Sequence, residues 1–98
     1  MDWRKTLTDI FAGYLNQDTL EEGVRGLLFV SEDDPVFHQD IIQAIDDGLQ
    51  AASRDDPKVL EIINRSGYQV ATTHEACNML LELRRLYLDE YNKRTKEC

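Results

Sequence analysis

Two aspartate–proline pairs, Asp34-Pro35 and Asp56-Pro57, constrain this chain more than any other feature. Proline has no amide hydrogen and a fixed φ, so it suits the first position of a helix. The aspartate before it offers an oxygen to the free N–H groups of the first turn. Each pair therefore ends one segment and opens a helix. Two Thr-x-x-Glu capping boxes, Thr19 with Glu22 and Thr72 with Glu75, mark two more starts, and Asp2 caps an opening helix. Five starts in 98 residues leave room for little besides helices.

The apolar residues recur at helical spacing throughout. Trp3, Leu7, Ile10, Phe11, Tyr14 and Leu15 line a first helix, which Asn16, Gln17 and Asp18 break. Leu20, Val24, Leu27 and Leu28 line a second, where Gly23 and Gly26 would let a neighbour approach closely. The third is expected from Pro35 to about Ala52. Phe37, Ile41, Ile42, Ile45, Gly48, Leu49 and Ala52 share one side, with Gln39, Asp40, Gln43, Asp46, Asp47 and Gln50 opposite. A fourth runs from Pro57 to about Arg65 and stops at Ser66-Gly67, where Gly67 suits a left-handed position.

Tyr68 to Ala71 reads as a connector. The last helix, to about Arg94, carries the broadest apolar face (Ala76, Met79, Leu80, Leu83, Leu86, Tyr87 and Tyr91, widened by Leu81 and Leu88) and is expected to be central. Arg85–Asp89, Asp89–Lys93 and Glu90–Arg94 stand four apart on its surface. The fold class is all-α, a compact single domain of about five helices over residues 1–98.

Charge narrows the function. The net charge is -8, and it is concentrated between Asp18 and Asp56, where only Arg25 and Arg54 offset the acids. A surface of one sign repels nucleic acid and anionic membrane and steers basic proteins in. Direct nucleic-acid binding is therefore disfavoured. No apolar run approaches the roughly 20 residues that span a bilayer, and the start lacks a secretory pattern. Cytoplasm is the expected compartment, and Cys77 and Cys98 do not suggest a disulfide framework.

Catalytic patterns are sparse. His38, His74, Cys77 and Cys98 are the only imidazoles and thiols, and a structural zinc usually takes four converging ligands. His38 projects onto the apolar side of its helix and reads as a packed histidine. The doublets Asp33-Asp34, Asp46-Asp47 and Asp55-Asp56 point about 100° apart on a helix, so they do not converge on one ion. No Gly-x-Ser-x-Gly and no glycine-rich phosphate loop occurs. No enzyme activity, metal or cofactor is implied.

The run Phe11-Ala12-Gly13-Tyr14-Leu15-Asn16-Gln17-Asp18 resembles a pattern in small helical immunity proteins, which accompany the toxins of bacterial contact-dependent growth inhibition systems. Leu83-Arg84-Arg85-Leu86-Tyr87 looks like that family's second recurring block. Trp3 and the acidic centre look closer to a subgroup whose toxin is a ribonuclease. The resemblance implies an intracellular inhibitor that binds and neutralises a cognate C-terminal toxin domain, here a basic nuclease. It implies no catalysis, no cofactor and no homo-oligomer.

Glu32, Asp33, Asp40, Asp46, Asp47 and Asp55 are the expected toxin-binding residues, with neutral Gln43 on the same stripe. Gly13, Tyr14, Gln17 and Asp18 read as structural: the glycine for close packing, the tyrosine in the core, the last two holding the turn. Arg84 projects into the apolar wedge of the last helix. It either snorkels to solvent or, as preferred, pairs with a carboxylate of the first connector. The alternative function is a small cytosolic adaptor or chaperone, which would bind an apolar helical segment with little salt dependence. A small metal-dependent hydrolase is the third class, and it would lose activity to a chelator.

Overall fold

The computed structural model describes residues 2–15 and 19–96. Five helices and no strand occur among them: α1 (Trp3–Gly13), α2 (Leu20–Ser31), α3 (Pro35–Ser53), α4 (Pro57–Arg65) and α5 (Thr73–Lys96). All five expected caps form. Asp2 Oδ1 accepts from the Arg4 amide at 3.0 Å and Thr19 Oγ1 from Glu22 at 3.2 Å. Asp34 Oδ1 accepts from Phe37 at 3.1 Å, Asp56 Oδ1 from Lys58 at 3.0 Å and Thr72 Oγ1 from Glu75 at 3.1 Å. A cap of this kind is worth about 1 kcal/mol, so together they place the helix starts firmly. Gly67, with φ of +102°, follows α4 as expected.

The molecule measures 40 × 27 × 19 Å. Its shortest dimension is about two helix diameters of roughly 10 Å each, so the bundle is two helices thick. α3 packs extensively on both α1 and α5 and also touches α2 and α4. The central element is therefore α3, correcting the expectation that α5 would be. Apolar breadth misled here: Leu81 is half exposed and Leu88 only half buried, so part of that breadth faces solvent. The core joins Leu7, Ile10, Phe11 and Leu15 to Leu27, Leu28, Ile41, Ile45, Ile63, Leu80 and Leu83.

One polar network crosses this core. Tyr87 on α5 is fully buried, and its hydroxyl donates to buried Ser31 Oγ of α2 at 2.9 Å. That uses its single proton, so the Tyr87 oxygen, 2.7 Å from His38 Nδ1, accepts from an Nδ1–H. His38 on α3 lies flat on Tyr91, with centroids 3.7 Å apart and planes 7° from parallel. His38 is thus the packed histidine expected from its helix face. Burial pushes the Tyr87 hydroxyl up to about 12 and lowers the His38 imidazole below its ordinary value.

Glycine sets the closest approach between α2 and the end of α1. A Cβ on Gly23 would collide with Leu15 Cδ2 and stand 3.0 Å from both Leu15 Cα and the Tyr14 carbonyl oxygen. Gly13, expected to serve close packing, has nothing within 4 Å of such a Cβ and is exposed. The crowded position is on the facing helix.

Gly23→Ala should therefore lose about 1–3 kcal/mol through overpacking, although alanine normally gains about 1 kcal/mol over glycine in a helix. Gly13→Ala should gain up to about 1 kcal/mol by restricting the unfolded chain. Urea melts of both variants test the opposite signs. His38 gives a second prediction. Its native pKa is lowered, so its contribution is complete above its ordinary value of 6.5 and is lost as pH falls through the native value. The stability difference between wild type and His38→Gln should shrink over that acid range, and a difference that grows as pH falls would contradict it.

Candidate protein-binding surface

The six expected acidic residues do not form one stripe. At about 100° per residue, Asp40 and Asp47 share a flank of α3 with Val36 and Gln43. Gln43 Nε2 donates to Asp47 Oδ1 at 3.0 Å, which holds part of that flank together. Asp46 stands about 100° further round, toward α5. There its Oδ1 receives Arg84 Nε at 3.0 Å. Arg84 therefore pairs across to α3; Asp18, the carboxylate expected from the first connector, lies outside the described residues. Both side chains are about two-fifths exposed, so the pair is modest in strength.

Two more acids have structural partners. Glu32, the C-cap of α2, takes Arg94 Nη1 of α5 at 2.9 Å. Asp55 has a φ of +58° in the turn between α3 and α4 and accepts from Thr73 Oγ1 at 2.6 Å. Aspartate tolerates that left-handed conformation better than most residues, and the hydroxyl ties the turn to the start of α5. Asp33, by contrast, is exposed and its carboxylate makes no hydrogen bond or ion pair among the described residues, as is also true of the carboxylate of half-buried Asp40. Of the six, Asp33, Asp40 and Asp47 are the carboxylates with no cationic partner among the described residues.

Beside Asp33 in the chain lie apolar groups absent from the sequence-derived candidates, which followed charge. Phe29 is 77% exposed and Val36 71% exposed, with Val30 partly so. They follow one another through the corner where α2 ends and α3 begins, around Asp33 and Asp34. The signal was present in the sequence. Phe29 projects about 155° from the mean direction of Leu20, Val24, Leu27 and Leu28, the wrong side for a core phenylalanine. An exposed aromatic ringed by polar residues has the composition of an interface anchor.

The α3 flank continues into a cleft of about 330 Å³ against α1. Buried Ile10 and the rings of Tyr14 and Phe37, 6.2 Å apart, form its apolar part. Asp2, Asp9 and Asp40 stand around it with Lys5 and Thr6. Tyr14 is thus half-buried in a cleft wall, where the sequence placed it in the core. The expected roles of Gln17 and Asp18 lie outside the described residues.

On α5, Arg85 pairs with Glu82 and, at 3.5 Å, with Asp89, while Lys93 lies 3.5 Å from Glu90. Among the described residues no group of three or more His, Cys, Asp or Glu could hold a metal ion, and no helix is long and apolar enough to cross a membrane. Compared with protein-family models, curated proteins and solved structures, the chain matches none.

Asp46 and Asp47 are adjacent in sequence but differ in duty. Asp46→Ala should be less stable than Asp47→Ala by about 0.5–1 kcal/mol, because only the first strands Arg84. Thermal melts of the two variants at low salt measure the difference, which should shrink in high salt. Equal melting would show that the Arg84 pair contributes nothing.

Proposed function

We propose that this chain is an inhibitory binding protein for a basic partner, an immunity protein of the contact-dependent growth inhibition kind. Its partner would be the cognate C-terminal toxin domain, a basic nuclease, bound in the cytoplasm without any catalytic step by the chain itself. The observation that carries the reading is an exposed aromatic, Phe29, near the end of α2, with the exposed carboxylate of Asp33 in the turn that follows. The two blocks that resemble that family add to it.

The physical division of labour is simple. A nuclease needs a positive groove for phosphates, and Asp33, Asp40 and Asp47 supply the opposite sign, raising the encounter rate. Charge on an exposed rim adds little to affinity. Burying Phe29 and Val36 would supply slow dissociation, since interface energy concentrates in a few desolvated aromatic and aliphatic anchors. The carboxylates would bring the toxin in and the corner would hold it.

The experiment is co-expression with the toxin-domain product of the neighbouring upstream gene, followed by co-purification and binding kinetics. The pair should elute as one complex with its nuclease activity abolished. Asp47→Lys should slow association about three- to tenfold at low salt and leave dissociation nearly unchanged. Phe29→Ser should speed dissociation by about tenfold or more without lowering the melting temperature. No complex, or one whose association ignores both salt and Asp47, would remove the proposal. Salt-independent capture of an apolar helical peptide would favour the adaptor reading.

A further inference from the structure

The α1–α3 cleft combines three features that suit one kind of side chain. Its wall is aromatic and already assembled: Tyr14 lies 6.2 Å from the Phe37 ring and touches α2 near Gly26, whose Cβ would sit 3.4 Å from Tyr14 Cδ1. Its charge is negative, with Asp2, Asp9 and Asp40 against Lys5 alone, three acids less one base. Two of those acids are uncommitted, because the carboxylates of Asp9 and Asp40 have no hydrogen bond or ion pair among the described residues, whereas Asp2 caps α1.

Candidate occupants can be separated by chemistry. The carboxylates do not gather as a metal site. An uncharged apolar group would use the rings but leave the acids facing it. A lysine ammonium would use the acids but is compact and strongly hydrated, which wastes the aromatic wall. A guanidinium uses both. It is planar and weakly hydrated, so it stacks on a ring while its N–H fork reaches carboxylates on either side. We propose that this cleft receives a single arginine side chain displayed by a protein partner. The identity of that partner rests on the function proposed above, but the recognition chemistry can be tested without it.

The test is an amide proton–nitrogen NMR titration of the whole chain with blocked Gly-Arg-Gly tripeptide, its lysine and citrulline counterparts, and free arginine. Shifts should centre on Asp9, Ile10, Tyr14, Phe37 and Asp40. The citrulline peptide, isosteric but uncharged, should not bind, and the lysine peptide should bind about threefold more weakly. Asp40→Asn and Asp9→Asn, both surface changes, should each weaken the arginine peptide by about three- to tenfold. Asp89→Asn, an equal loss of charge on α5, should change it less than about twofold.

Shifts spread evenly over acidic residues of every helix would overturn the inference, as would citrulline binding as well as arginine. Tighter binding of free arginine than of the blocked peptide would overturn the protein source and point to an amino-acid ligand. These outcomes are independent of the toxin experiment. A chain that neutralises a nuclease yet ignores the tripeptide refutes only the cleft. A chain that takes the tripeptide but no toxin refutes only the immunity reading.

Discussion

Gly48 lies where three helices meet. A Cβ there would stand 3.1 Å from Leu7 Cδ2 of α1 and 3.3 Å from Leu80 Cδ1 of α5, so leucines from two helices close over a position that has no side chain. This close approach puts α3 in the middle and gives each of its sides a different neighbour. One flank turns toward α1, the other toward α5. The distribution of charge follows from that geometry. Asp40 falls beside α1 and keeps its charge available, while Asp46 falls beside α5 and meets Arg84.

The second helix is positioned by polar groups as much as by apolar ones. Apolar contacts are non-directional and would allow α2 to slide. The Ser31–Tyr87–His38 chain does not, because a buried hydroxyl that loses its partner costs about 1–3 kcal/mol. It fixes α2 against α3 and α5 together, and Gly23 admits Leu15 at the other end of the helix. The result reaches the surface: with α2 held in place, Phe29 cannot turn inward and stays 77% exposed.

The helices and their starts were readable because capping is local. Asp34-Pro35, Asp56-Pro57 and the two threonine boxes act within three residues, and each formed its cap where the pattern put it. His38 was likewise legible from its helix face. The candidate site was less so. Charge is visible in a sequence but commitment is not: Glu32, Asp46 and Asp55 met Arg94, Arg84 and Thr73, partners distant along the chain. The projection of Phe29 opposite its core face was present in the sequence and marks the one part of the surface that periodicity could have found.

By itself, then, the sequence determined an all-α chain, its five helix starts, its apolar faces and an acidic middle, because caps, periodicity and charge depend only on near neighbours. Tertiary structure decided that α3 is central, that Gly23 and not Gly13 is the crowded glycine, that Tyr14 walls a cleft, and which carboxylates remain unpaired. Those outcomes depend on which helices approach one another and how closely. Distances across the bundle are set by side-chain volumes on several segments at once, and no local pattern contains them.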